Sequence, residues 1–165
     1  MNEHLKKLTV LTVFLIGAAS VNADLVPKQK NIPDEVTVFV TLKVNNNVSK
    51  KKIAKFTKMY AEFVNNTEPD SLGWSYHQSG EKVILIERYK NEEANIITAK
   101  NISPDGIRYK LLQDQLDIFT VVKVSVYGAF TNKLVDFNAI TAKKLGFKFP
   151  FEYNPIISGY SKNAK

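Results

Sequence analysis

The chain has 165 residues, a formal net charge of +7 and no cysteine. The lack of cysteine excludes disulfides, zinc–thiolate sites and thiol nucleophiles. The lysines are scattered and no nucleic-acid-binding motif is present, so the basic balance indicates solvated charge and excludes nucleic acid as the expected partner.

The N-terminal residues have the three parts of a cleavable export signal. Lys6 and Lys7 precede an uncharged run over residues 8–19, and small residues at Val21 and Ala23 suit a signal peptidase. A membrane-spanning helix needs about 20 apolar residues, which is more than this run provides. We therefore expect residues 1–23 to be removed and the mature protein to be periplasmic or secreted, without a stable membrane anchor.

The first half of the mature chain predicts a strand and a helix. Residues 24–35 are polar with two prolines and predict an extended leader. Val36–Val44 alternates β-branched with other residues, which is typical of a strand. Apolar residues then recur at helical spacing over residues 49–65, with Asn47 or Ser49 as the N-cap.

The middle of the chain predicts a hairpin and a second helix. The pattern predicts two strands, residues 72–78 and 82–90, joined by a tight turn at Ser79 and Gly80. Asn91 caps the helix that follows. The Pro-Asp-Gly sequence at residues 104–106 marks a break, after which residues 107–116 predict a short helical piece.

The last third predicts a strand, a helix and an aromatic tail. The strand covers residues 119–127, and the helix Asn132–Leu145 ends at Gly146. The tail, residues 147–165, contains two prolines and is predicted to be irregular, packed on the domain or on a partner chain.

The resulting order, βαββαβ followed by a helix, predicts an α+β, ferredoxin-like domain with an antiparallel sheet and helices on one face. The other sheet face would then hold apolar side chains that need a cover. A second copy of the sheet would provide it, so we expect a homodimer that associates through sheet faces. The side chains assigned to that face are Phe39, Ile84, Ile86, Val122, Val124 and Val126.

Several segments, in this order and spacing, resemble the antibiotic-biosynthesis-monooxygenase superfamily, the dimeric α/β-barrel proteins that include quinol monooxygenases. They cover most of residues 36–160. The segments are residues 68–72, 77–79, 83–89, 91–94, 126–128 and 154–160.

The resemblance implies oxidation of electron-rich polycyclic or quinol-like aromatics by O₂ without a cofactor or metal. The protein would supply an apolar pocket and polar groups that deprotonate and orient the substrate. Family members commonly carry a histidine in the second helix and a tryptophan at the end of the third strand. This chain has about Thr98 and Tyr89 at those places.

Two side chains are candidates for catalysis. His77 is the only histidine after the predicted cleavage, and histidine can act as a general base near neutral pH. The alternative is that it caps the hairpin turn. Glu87 lies within an apolar strand, where a carboxylate needs a partner or a raised pKa. The alternative is a structural ion pair with Arg108, a lysine or the partner subunit's Arg88.

Alternation also predicts which hairpin side chains share a face. Trp74 and Tyr76 point to one side of their strand, and Leu85, Glu87 and Tyr89 to one side of the next. If the register joins the two sets, Trp74, Tyr76, Leu85 and Tyr89 would line a substrate pocket with one carboxylate. The alternative is that the aromatic side chains are core residues.

Three functions remain open from the sequence. The first is a cofactor-free monooxygenase acting on a small quinol-like or polycyclic aromatic. The second is an exported, non-catalytic module that binds a small apolar ligand. Haem binding ranks last, because His77 lies at a strand end and not on the second helix.

Overall fold

The computed structural model describes residues 33–159. The predicted export signal, most of the predicted leader and the last six residues lie outside that range. Within it, the elements are β1 (Val36–Val44), α1 (Lys50–Thr67), β2 (Ser71–Ser79), β3 (Lys82–Tyr89), α2 (Glu92–Asn101), α3 (Tyr109–Ile118), β4 (Phe119–Gly128), α4 (Asn132–Leu145) and β5 (Phe151–Pro155).

The predicted caps are present and explain where the helices begin and end. The Ser49 side chain accepts a hydrogen bond from the Lys52 amide at 3.2 Å, and Asn91 accepts one from the Ala94 amide at 3.0 Å. Gly146 ends α4 with a φ of +69°, a left-handed conformation that glycine adopts without strain. The predicted helical piece after the break is α3, displaced by two residues toward the C-terminus.

The strands form one sheet in the order β2-β3-β1-β4-β5. The first four strands pair antiparallel, which confirms the predicted ferredoxin-like α+β fold. The expectation of an irregular tail is wrong for residues 151–155. They form β5, which runs parallel to β4 as an added edge strand, with α4 as the crossover between them.

A β-bulge in β4 corrects the assignment of its faces. The pairing of β1 with β4 shifts register after Thr41, so that Val121 and Val124 both point to the helical side. Val124 and Val126 are buried in the core and do not belong to the outer face, contrary to expectation. Val122 remains on the surface, 39% exposed.

The helices cover the sheet face that carries Val36, Val38, Val40 and Leu42, and the core lies between these two layers. On the opposite face, Phe39, Ile84 and Ile86 are half-buried by their neighbours alone. In the part of the chain that the structure describes, no helix is both long enough and apolar enough to span a membrane.

Candidate functional site: a cavity between the sheet and the helices

A cavity of about 110 Å³ lies between the inner sheet face and the helices. Its walls are mainly apolar, with polar groups contributed by both the sheet and the helices, the composition expected of a small-molecule site. Several bordering residues near the end of α4 and the start of β5, including Phe147 and Phe149, are half-exposed and mark the side closest to solvent. The polar residues that border it are Tyr60, Trp74, Glu87, Asn95, Thr98, Arg108, Gln115, Asn138 and Thr141.

The β2–β3 hairpin brings the two predicted sets of side chains together. Its register pairs Trp74 with Glu87 and Tyr76 with Leu85, so these side chains share the inner face. Trp74 and Glu87 border the cavity. Leu85 is fully buried in the core beside it. The aromatic-and-carboxylate cluster predicted from alternation is thus formed, but only part of it faces the cavity.

Tyr76 is anchored away from the cavity. Its hydroxyl donates a hydrogen bond to Oε1 of Gln115 on α3 at 3.0 Å. Its ring stacks on Phe119 with 6.3 Å between ring centres. Tyr76 therefore positions α3 and Gln115, and Gln115 itself borders the cavity.

Glu87 is the titratable carboxylate of the cavity. The Tyr89 hydroxyl donates a hydrogen bond to its Oε2 at 2.6 Å. Burial raises the pKa of Glu87 to about 7, while this hydrogen bond and the positive charge of Arg108 oppose the rise to a smaller extent. Near neutral pH, the carboxyl group can therefore both accept and return a proton. Burial also raises the pKa of Tyr89 well above its ordinary value, so Tyr89 remains a donor.

A buried ion pair lies beside the cavity, which its arginine, Arg108, borders. Oε1 of Glu68 lies 2.9 Å from Nε of Arg108, and the exposed fractions of the two side chains are 4% and 0%. The Glu68 carboxylate also accepts hydrogen bonds from Thr98 at 2.5 Å and from Asn101 at 2.7 Å. Because several donors satisfy Glu68, the pair is held in one arrangement.

The loop after α2 explains how a charged residue reaches the core. A Cβ atom on Gly106 would lie 2.1 Å from the carbonyl oxygen of Asn101, so only glycine permits this close approach. The Arg108 amide then donates to the same Asn101 carbonyl at 2.8 Å. The tight loop thereby directs the Arg108 side chain inward, between α1 and β2.

The aromatic rings of Trp74 and Tyr60 fix the guanidinium group. Cζ of Arg108 lies 5.0 Å from the centre of the Trp74 ring and 5.6 Å from that of Tyr60. Such cation–π contacts are strongest where water is excluded. Burial raises the pKa of Tyr60 to about 12, so its ring stays neutral beside Glu68 and Arg108.

His77 lies elsewhere. It alternates with Tyr76 on β2, so its side chain is on the outer face, exposed, where Nε2 is 2.8 Å from the Ser75 hydroxyl. The structure therefore does not bring together the two side chains predicted to be catalytic. Within residues 33–159, Arg108 forms its ion pair with Glu68. The sequence left open a pairing of Arg108 with Glu87, but Glu87 instead accepts the hydrogen bond from Tyr89.

Sequence reasoning missed Glu68 and Arg108 as partners. Each lies at an element end among polar residues, where a charge is usually solvated. Gly106 was the available signal, because a glycine next to a helix boundary can mark a close backbone approach. Thr98 lies where the resemblance places a histidine, and it does border the cavity.

Among the described residues, no group of three or more histidine, aspartate or glutamate side chains could hold a metal ion. No protein-family model matches the chain, and no curated protein matches its sequence.

Solved structures do match the fold. MupZ from Pseudomonas fluorescens superimposes with a TM-score of 0.55 at 13% identity, over 78% of this chain and 95% of that one. SnoaB, a cofactor-independent oxygenase from Streptomyces nogalater, gives 0.48 at 13% identity, over 59% of this chain and 95% of its own. A hydroxynitrile lyase from Passiflora edulis gives 0.46, also at 13% identity and with the same coverage. The ferredoxin-like α+β fold predicted from the sequence, which the resemblance also implied, is confirmed.

Proposed function

We propose that this chain, which has the fold of the antibiotic-biosynthesis-monooxygenase superfamily, is a cofactor-independent monooxygenase that oxidises a small quinol-like aromatic with O₂. The main support for this proposal is the position of Glu87, whose buried carboxyl group borders an apolar cavity and has a pKa of about 7. A general base is most effective when its pKa lies near the working pH.

The size of the cavity favours a single-ring substrate. An engineered apolar cavity of about 150 Å³ in another protein holds one benzene molecule. The cavity here, about 110 Å³, is of that order. A polycyclic aromatic would require the half-exposed aromatic residues near Phe147 to move apart. We therefore narrow the sequence-based expectation to monocyclic quinols.

The proposed reaction balances without a further reductant. Glu87 accepts a phenolic proton, and the resulting quinolate carries part of its negative charge on the ring carbon ortho to the ionised oxygen. That carbon donates electrons to O₂ and forms a C–O bond, giving a hydroperoxide. The O–O bond then breaks with loss of one water, so a hydroquinone and one O₂ yield one hydroxyquinone and one water. Glu87 returns its proton to the departing oxygen.

The surrounding residues support proton transfer to Glu87. The Tyr89 hydroxyl stabilises the ionised carboxylate, and Arg108 supplies a positive charge that also favours ionisation. The apolar walls from β1 and β4 reduce the dielectric around the quinolate, which strengthens these interactions. His77 has no part in this scheme, because it lies on the other face of the sheet.

Oxygen consumption tests the proposal. With hydroquinones as substrates, the protein should consume one O₂ per quinol, and Glu87→Gln should lower the rate by about 100-fold or more, the usual contribution of a general base. His77→Ala is the matched control and should retain the rate. Absence of uptake above the uncatalysed rate, with the aromatic still bound, would instead support the non-catalytic binding module.

Two further parts of the proposal concern assembly and location. The sheet face around Phe39, Ile84 and Ile86 suits a second copy of itself, because these apolar side chains are only half-buried within one chain. We propose a homodimer through this face. The export signal predicted in residues 1–23 supports a periplasmic or secreted protein.

A further inference from the structure

Arg108 has hydrogen-bonding capacity that the protein does not use. Its side chain is fully buried, and its Nη1 atom has no hydrogen-bond partner among residues 33–159. The other two nitrogens are engaged: Nη2 donates to the Thr98 carbonyl at 3.3 Å, and Nε lies 2.9 Å from Glu68, although at an angle too bent for a regular hydrogen bond. Buried charged donors are costly to leave unpaired, and each one in a native structure calls for an explanation, such as a bound ligand, ion or water.

The contacts around the guanidinium group prevent it from turning toward another side chain of the protein. The rings of Trp74 and Tyr60 contact it, and Glu68 fixes its Nε edge. Thr98 and Asn101 in turn fix Glu68. A donor that is fixed, unpaired and beside a cavity is suited to bind a ligand atom that enters the cavity.

A second buried donor belongs to Trp74, whose ring contacts Arg108. Within the described part of the chain, the indole Nε1 of Trp74 has no hydrogen bond of ordinary geometry, although it interacts with the neighbouring Tyr76 hydroxyl and lowers the pKa of that group against the larger effect of burial. Trp74 and Arg108 both border the cavity and are in contact with each other. An oxygen atom with two lone pairs could accept a hydrogen bond from each.

The local charges specify which kind of oxygen fits. The charge of Arg108 is already balanced by Glu68 in the ion pair, and Glu87 is a second acid beside the same cavity. A ligand that arrives as a carboxylate would bring a further negative charge to this site and be repelled. A neutral phenol or carbonyl oxygen needs only the unused donors.

We propose that Arg108 Nη1, with Trp74 Nε1, forms an oxygen-binding subsite that selects neutral single-ring phenols over aromatic carboxylates and over aromatics without oxygen. The choice of a phenol rests on the proposed function, since proton transfer to Glu87 would leave the negative charge on the oxygen that Arg108 binds. Binding itself requires no reaction with O₂.

The intrinsic fluorescence of Trp74 provides a direct readout, because it is the only tryptophan of the chain. The wild-type protein is titrated without oxygen with phenol, toluene and benzoate. Phenol should bind at least about tenfold more tightly than either of the others. A purely apolar cavity would prefer toluene, so equal or tighter binding of toluene would overturn the subsite. Tighter binding of benzoate would overturn its selectivity for neutral ligands.

Arg108→Lys keeps the positive charge beside Glu68 but lacks the Nη1 donor. It should weaken phenol binding at least about tenfold while leaving toluene binding unchanged. The matched control is Arg88→Lys, an exposed arginine on the outer face of β3, which should not affect either ligand. Unchanged phenol binding in folded Arg108→Lys would contradict the proposal, and if this variant fails to fold, the wild-type comparison of the three ligands decides. Selective phenol binding without oxygen uptake would overturn the proposed oxidation and support the subsite.

Discussion

Tyr89 donates its hydroxyl hydrogen to the Glu87 carboxylate two residues earlier on β3, with 2.6 Å between the two oxygen atoms. Both side chains are buried on the inner face of the sheet. A hydrogen bond to the charged form of an acid lowers its pKa, whereas burial raises it. In Glu87 burial has the larger effect, and Tyr89 limits the rise to about 7.

Tyr89→Phe should therefore raise the pKa of Glu87 further. One hydrogen bond to a charged group corresponds to about one pH unit. The pH dependence of quinol oxidation should move by about that amount toward alkaline pH, because Glu87 must be ionised to accept the proton. The control is Tyr127→Phe on the outer face, which should leave the profile unchanged. A shift toward acid pH in Tyr89→Phe would contradict the assignment.

Glu87→Gln should change how stability depends on pH. The raised pKa means that the folded protein holds the Glu87 proton at pH values where the unfolded chain has released it. The wild-type protein therefore loses stability as pH rises from about 4.5 to about 7, by about 3 kcal/mol from this group. The glutamine variant lacks this loss, so it should gain stability relative to the wild type over that range.

Denaturant unfolding at several pH values measures this difference. Glu81→Gln, at the exposed hairpin turn, is the control and should follow the wild-type curve. Parallel curves for the wild type and Glu87→Gln would show that the Glu87 pKa is not raised.

Glu68→Gln should destabilise the fold strongly. It removes the negative charge that balances Arg108, which then remains charged and buried. Breaking one side of a buried pair typically costs about 3–5 kcal/mol. Asp70→Asn breaks the exposed pair with Lys90 and should cost less than about 1 kcal/mol. Similar losses for both variants would mean that the buried pair is not rigidly held.

The proposed dimer can be tested on the outer sheet face. Ile86→Lys places a charge among the half-buried apolar side chains of that face and should convert a dimer into a monomer. Ile97→Lys is the control, since Ile97 is 42% exposed on α2, on the opposite side of the sheet. Light scattering distinguishes the outcomes, and a monomeric wild-type protein would contradict the face-to-face arrangement.

Sequence patterns predicted the antiparallel part of the fold because its strands and caps are governed by local chemistry. The alternation in Val36–Val44 and the turn at Gly80 require no knowledge of distant residues. The bulge in β4 could not be predicted, since Val122 and Val124 have the same strand preference and only the pairing with β1 separates their faces.

The last strand was missed because proline was taken as a sign of irregular structure. Pro150 and Pro155 flank Phe151–Tyr153, and β5 is a sheet edge, where a missing amide donor is tolerated. Similarly, alternation predicted that Trp74 and Glu87 share a face, but the contribution of Arg108 depends on a loop whose path is set by tertiary contacts of Gly106.

The most direct test of the account is a titration of the Glu87 carboxyl group by NMR, with labelled glutamate and with Glu87→Gln to assign the signal. We expect a midpoint of about 7, and a further change in this signal when phenol is added to the cavity. A midpoint near the ordinary value of 4.5, with no response to phenol, would contradict the claim that Glu87 is the base of a small-molecule site.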